Sequence, residues 1–174
     1  GEVADASVLY ASLGDYKDSA SLRLDTWYTP GMQAVEAGNT DGALELFAQI
    51  PGHRDADTQV KKIHYDRAVE LREEGKNNEA AEAFMLAKGY LDAADQANEC
   101  FYAPANLAYE IMDYETAAAL FAKISGYRDA DEKWRAATIE AANVAIKQIN
   151  YKKAKELLSA LPQEDAEVVS LLKD

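Results

Sequence analysis

Cysteine is all but missing from this chain. Cys100 is the only one in 174 residues. No intrachain disulfide can form, and the compartment stays undecided, because a reducing cytosol and an exported protein that needs no bridges fit equally well. Long apolar runs are missing too. None approaches the roughly 18 residues of a membrane span, and no stretch reads as a signal peptide. Proline and glycine are scarce, at four and nine, against heavy use of alanine, and that mix favours long helices. Positive charge is short: 18 Lys and Arg face 31 Asp and Glu, for a net charge of −13 and a pI near 4.6. Such a surface repels phosphate backbones and anionic lipid, so neither nucleic acid nor a membrane is an expected partner. A basic partner, or plain solubility, fits the charge.

What is present is globular in composition, with 48% hydrophobic and 28% charged residues. It is also repetitive. Gly14-Asp15-Tyr16-Lys17-Asp18, Gly52-His53-Arg54-Asp55-Ala56, Gly89-Tyr90-Leu91-Asp92-Ala93 and Gly126-Tyr127-Arg128-Asp129-Ala130 look alike, with glycines 38, 37 and 37 residues apart. Other columns keep the same frame: Tyr28, Tyr65, Tyr102 and then Ile139; Ala6, Ala43, Ala80, Ala117 and Ala154; Tyr10, Phe47, Phe84, Phe121 and Leu158. A fixed period between 20 and 50 residues marks a stacked array of one supersecondary unit.

Within a unit the apolar spacing is helical. Ala43, Leu44, Leu46, Phe47 and Ile50 share one helix face, and Ala117, Ala118, Leu120, Phe121 and Ile124 repeat it. Gly52, Gly89 and Gly126 read as left-handed helix ends. The carboxylates of Asp55, Asp92 and Asp129, three residues on, are expected to cap the next helix, and Asp129-Ala130-Asp131-Glu132 has capping-box spacing. Each unit is therefore a helix of roughly 18 to 20 residues, a short turn and a helix of roughly 11. Those internal turns are Gly38-Asn39-Thr40-Asp41 and Gly75-Lys76-Asn77-Asn78, and later, without glycine, Met112-Asp113-Tyr114 and Ile149-Asn150-Tyr151. Pro30 and Pro104 fall inside the long helix of alternate units, where a kink or break is expected near residues 27–29 and 101–103.

The fold class is accordingly all-α, an α/α superhelix of antiparallel helix pairs in a single repeat domain. A partial unit covers 1–17, full units cover 18–54, 55–91, 92–128 and 129–165, and a further helix starts in 166–174. Pro162-Gln163-Glu164-Asp165-Ala166 is a worn copy of the turn, and Val168 to Leu172 opens that last helix. A start at Gly1 suggests a piece cut from a longer array or a larger protein. The alternative is a natural domain whose end helices serve as caps.

Tyr65, Ala68, Gly75, Ala80, Phe84 and Ala87 resemble the signature spacing of the tetratricopeptide repeat family. So do Tyr28, Gly31, Gly38, Ala43 and Phe47, and Tyr102, Ala105, Ala117 and Phe121, while Trp27 lands on the family's tryptophan column. The resemblance spans nearly the whole chain. It departs in period, about 37 residues against 34, and in replacing the proline that usually ends the second helix. The Gly-Tyr-x-Asp-Ala turn is similar to a long-period variant common in bacterial multidomain proteins. On this likeness Phe47, Phe84 and Phe121 are core residues, and the chain is a module that binds a protein or peptide in a concave groove lined by the first helices. The implied groove residues are Tyr28, Met32 and Val35; Tyr65, Val69 and Arg72; Tyr102, Asn106 and Tyr109; and Asn143 and Ile146. Against this stands the reading that the tyrosines only pack between units, and that the array is a spacer between other domains. Some relatives grip a C-terminal carboxylate with groove lysines. Asn106 and Asn143 fall on the matching asparagine column, but the first column is Tyr28, Tyr65 and Tyr102.

Other chemistries find little support. His53, His64 and Cys100 share no metal-ligand spacing. The Asp-Ala-Asp turns at 55–57 and 129–131 lack the glycine and bidentate glutamate of a calcium loop. No nucleophile–histidine order and no phosphate-cradling glycine loop stands out, so neither enzyme activity nor a cofactor is expected. Oligomeric state is not legible.

Overall fold

The computed structural model describes residues 2–14, 16–162 and 166–171. The described residues contain no strand and are 76% helix, so they are all-α. The helices among them are α1 (Glu2–Ser12), α2 (Ser19–Glu36), α3 (Thr40–Phe47), α4 (Ala56–Glu73), α5 (Asn77–Leu86), α6 (Ala93–Glu110), α7 (Tyr114–Phe121), α8 (Ala130–Lys147), α9 (Tyr151–Ser159) and α10 (Ala166–Leu171). A 3-10 turn, Ala122–Ile124, extends α7. The long helices α2, α4, α6 and α8 each have 18 residues and begin 37 residues apart. The short ones, α3, α5, α7 and α9, have 8, 10, 8 and 9 residues, fewer than the 11 expected, because the backbone tightens into turns before the next helix. Residues 163–165 of the worn turn copy lie outside the described residues, as does Leu172. Beyond it α10 is helical, as expected.

The chain divides into two compact units. One is Gly1–Gly75 with Glu82–Ala94, the other Lys76–Ala81 with Asp95–Asp174. In the first, Ala43, Phe47, Ile50, Ala56 and Ile63 form a core that Trp27, Tyr28 and Met32 flank. In the second, Ala105, Ala117, Phe121, Ile124 and Ala137 form one, and Ile139, Ala142, Leu158, Leu161 and Val168 another. Of the bulky column, Phe47, Phe84, Phe121 and Leu158 are among the largest fully buried side chains, and Tyr10 is half-buried. Small residues opposite allow that depth. A Cβ on Gly31 would sit 2.7 Å from the Phe47 ring, and Ala68, Ala105 and Ala142 hold the same place in later repeats, all buried.

Three expectations need correction. First, of the kink or break expected at the prolines, the break does not occur: α2 and α6 run unbroken through Pro30 and Pro104. Proline in a helix interior costs about 3 kcal/mol. Residues on both sides of it pack on one core, Tyr28 and Met32 around Pro30 and Phe101 and Ala105 around Pro104, and that burial outweighs the lost hydrogen bond. Second, Asp55 and Asp129 occupy N-cap positions but make no capping bond. Their carboxylates go elsewhere, as described below. The carboxylates of Asp57 and Asp131 instead accept the amides of Gly52 (3.1 Å) and Gly126 (3.0 Å), fastening each turn from within. Third, the left-handed backbone is more extensive than glycine alone suggests. Gly52, Gly89 and Gly126 adopt positive φ as expected, but so do Lys17, Arg54, Leu91 and Arg128, one per repeat, and Met112 and Ile149, which stand where Gly38 and Gly75 stand earlier.

Candidate functional site

The tyrosine column joins each repeat to the next. The hydroxyl of Tyr28 donates to Asp55, that of Tyr65 to Asp92 at 2.7 Å, and that of Tyr102 to Asp129 at 2.6 Å, each across 27 residues. These are the carboxylates that capping would otherwise use. Each ring also lies between two others, tilted or edge-on. Tyr28 meets Phe47 and His53 (6.0 and 5.9 Å between centres), Tyr65 meets Phe84 and Tyr90 (5.3 and 5.6 Å), and Tyr102 meets Phe121 and Tyr127 (6.0 and 5.7 Å). Such pairs stabilise by about 0.5–1.5 kcal/mol beyond burial.

At the first joint the hydroxyl–carboxylate bond shifts both partners. The Tyr28 hydroxyl, and then the Gln59 amide, hold the Asp55 carboxyl below the usual carboxylate value, while the bond to Asp55 pushes the Tyr28 hydroxyl up. Tyr65 is raised by Asp92 in the same way. Tyr102 lowers Asp129 and raises Lys133.

Lys133 is a residue the sequence reading missed. Its ammonium reaches the Tyr102 hydroxyl (3.1 Å), Asn106 Oδ1 (2.6 Å) and Asp129 (3.3 Å), and Asn106 donates to the Tyr102 carbonyl. The signal was in the column: Gln59 and Gln96 precede Lys133 at the same position. Asp25 and Glu99 were missed as well. Asp25 binds His53 (2.6 Å) and Arg54 (2.8 Å); Glu99 binds the Tyr127 hydroxyl (2.9 Å) and Arg128 (2.5 Å). Arg54 and Arg128 in turn lie 4.9 and 5.0 Å from the centres of Tyr28 and Tyr102, at cation–π range.

The eleven groove candidates are all half-buried. Tyr28, Met32 and Val35 share a face of α2 and pack on the first core. On α4, Arg72 lies 5.6 Å from the centre of the Phe84 ring, with Tyr65 and Val69 at its earlier turns. On α6, Tyr102 and Asn106 belong to the Lys133 cluster, and Tyr109 meets Tyr114 edge-on at 5.2 Å. Asn143 and Ile146 lie on α8. In the first compact unit Val35 also lines a cleft of about 330 Å³ with Ile63, Lys62, Arg67, Asp66 and Glu70, a lining of mixed charge. In the second, a cleft of about 360 Å³ over Ala118, Ala122, Trp134 and Leu157 is rimmed by the Glu115–Lys153 ion pair (2.6 Å).

The largest exposed apolar side chains of the second compact unit gather where long helix turns into short. Leu107, Ile111 and Met112 are 60, 68 and 73% exposed, and Ile149 and Tyr151 at the next such corner are 73 and 61% exposed. At the same positions the first two repeats carry Gln33 and Glu70, Ala37 and Glu74, Gly38 and Gly75. No three His, Cys, Asp or Glu side chains converge to hold a metal ion among the described residues. No described helix is long and apolar enough to cross a membrane. No family model matches the chain, and no curated protein matches it significantly.

Proposed function

We propose that this chain is a non-enzymatic, tetratricopeptide-like solenoid of helix pairs that binds a protein or peptide through its third and fourth repeats. The observation that carries this is the apolar corner. Met112 and Ile149 hold a left-handed backbone that glycine adopts at no steric cost in the first two repeats. They accept strain of about 1 kcal/mol or more and place a large apolar side chain in water besides. Folding benefits from neither, whereas a partner's apolar surface would. Tyr109 and Asn106, the groove candidates on the same helix, lie on a different face from Leu107 and Ile111 and offer a ring and an amide able to pair along a peptide backbone.

A second reading, a spacer with no ligand of its own, draws on a different observation. Tyr28, Tyr65 and Tyr102 spend ring and hydroxyl on the joints between repeats, as a stiff strut requires. A random peptide library displayed against the full chain separates the two. The binding module enriches peptides whose affinity falls about tenfold or more with Tyr109→Ala or Met112→Gly. A library that enriches nothing, or peptides indifferent to both substitutions, leaves the spacer.

A further inference from the structure

Two successive corners of the second compact unit carry opposite charge around the same apolar centre. Where α6 turns into α7, the exposed apolar residues are Leu107, Ile111 and Met112. The charges among and just after them are Glu110, Asp113 and Glu115, all exposed. Where α8 turns into α9, the exposed apolar residues are Ile149 and Tyr151. Residues 147–153 there hold Lys147, Lys152 and Lys153 and no carboxylate, in a chain of net charge −13.

The inversion runs column by column. Glu36, Glu73 and Glu110 share one column, and its next member is Lys147. Asp41, Asn78 and Glu115 share another, and its next member is Lys152. The apolar centre does not invert. Met112 and Ile149 share a column, have φ of 65° and 60°, and are each 73% exposed.

Part of this charge is used within the chain. Lys153 pairs with Glu115 at 2.6 Å, and the Asp113 carboxylate accepts the amide of Thr116. Lys152 stands 4.0 Å from Glu156, both largely exposed, a contact worth little. Glu110 and Lys147 are the last residues of α6 and α8, and both are exposed. A carboxylate at a helix C-terminus meets the negative end of the dipole, so Glu110 gains from a cation brought to it.

We infer that this face binds a second copy of the chain, through a two-fold axis that sets the third repeat of one copy on the fourth repeat of the other. Glu110 then faces Lys147 of the second copy, Glu115 faces Lys152 of the second copy, and Met112 packs on Ile149 of the second copy. Symmetry makes each contact twice. Setting like repeat on like repeat would oppose Glu110 to Glu110 and Lys147 to Lys147, which charge disfavours. A different partner has to supply both signs of charge and an apolar centre at matching spacing, and the second copy already has them. The inference rests on the proposed function in taking the apolar corner as a binding surface, and it names what covers it. With five exposed apolar side chains per copy the interface is small, so the dimer is a weak one.

The test is sedimentation equilibrium of the full chain from about 10 μM to about 1 mM, the range of a weak interface. The chain is expected to pass from monomer to dimer, less readily as salt is raised. Glu110→Lys or Lys147→Glu alone should weaken dimerisation about tenfold or more, since each turns two attractive contacts into two repulsive ones. An equimolar mixture of the two variants should recover it, because every contact between positions 110 and 147 of the mixed dimer again joins opposite charges. Recovery between separate chains distinguishes this pairing from one made inside a single chain. Met112→Gly should weaken the dimer at every salt concentration. A chain still monomeric at the top of that range, a dimer indifferent to both charge reversals, or a mixture that does not recover would each overturn the inference. A monomer that takes up library peptides through Met112 overturns it alone and leaves the proposed function standing, whereas a monomer that takes up none ends both.

Discussion

The joint closed by Tyr65 and the joint closed by Tyr102 share their rings and differ in their charges. Both place a tyrosine edge-on between a buried phenylalanine and a second tyrosine, and both end on an aspartate. Around Tyr102 stand Lys133, Arg128 and Glu99. Around Tyr65, the place of Arg128 goes to Leu91, 75% exposed, and the place of Glu99 goes to Lys62, which turns to Asp66. The rings and the hydroxyl–carboxylate bond recur, while the charges vary from joint to joint. Buried aromatic area is worth several kcal/mol per side chain, whereas a half-exposed ion pair is worth about 0–1 kcal/mol. The constant part is thus the part that holds the repeats together.

The sharpest way to break that comparison is to remove the shared part. Phe84→Ala and Phe121→Ala should each cost about 3–5 kcal/mol, and nearly the same amount, in urea unfolding followed by circular dichroism. A difference approaching 2 kcal/mol would mean that the charges around Tyr102 contribute to packing after all. The next effect is smaller and should separate the joints. Tyr65→Phe deletes one charge-assisted hydrogen bond and should cost about 1 kcal/mol. Tyr102→Phe takes a partner from both Asp129 and Lys133, so it should cost more, with the surplus shrinking as salt is raised. Equal costs at all ionic strengths would dissolve the distinction.

Much of this fold could be read from spacing. A 37-residue period, an alanine column and a bulky column are statements about which side chains face a common core, and burial follows them closely. The joints could not be read the same way. Asp55 and Asp129 sit where a capping residue sits, and nothing local says that a tyrosine 27 residues earlier competes for the carboxylate. Proline carries a strong local penalty, so Pro30 and Pro104 argued for a break. The packing that overrides them comes from Phe47 and Phe121, on other helices. Lys133 stood out in no sequence pattern, and its role shows only beside Gln59, which holds the same column and bonds Asp55 as Lys133 bonds Asp129. Of the candidate site, the apolar corner was not legible, because Met112 and Ile149 read as ordinary turn substitutions until their backbone is known.

That corner offers a third contrast, between repeats that use glycine and repeats that do not. Met112→Gly and Ile149→Gly should relieve left-handed strain. Against this stands the larger conformational freedom glycine gives the unfolded chain. The net expectation is a modest stabilisation of about 0.5–1 kcal/mol each, read as a rise in the urea midpoint. Ile149 should benefit more, since a β-branched residue is the worse fit at positive φ. Destabilisation by either change would mean that these side chains contribute to the fold, and would remove the reason for assigning them to a partner.

The smallest effect concerns pH at the Tyr28 joint. Hydrogen bonding lowers Asp55 and raises Tyr28 relative to their ordinary values of 3.8 and 10.0. A lowered carboxylate contributes stability that is present above its unfolded value and is lost as pH falls through the folded one. A raised phenol contributes stability that is present below its unfolded value and is lost as pH rises through the folded one. Both arise from one bond, so the stability difference between the unaltered chain and Tyr28→Phe should form a plateau between those two ordinary values and shrink at both ends. The Tyr102 joint should fall away at the same two ends, since Asp129 is lowered and Lys133 raised from 10.5. A difference that stayed flat through the acid limb would show that Asp55 draws its stabilisation from Gln59 rather than from Tyr28.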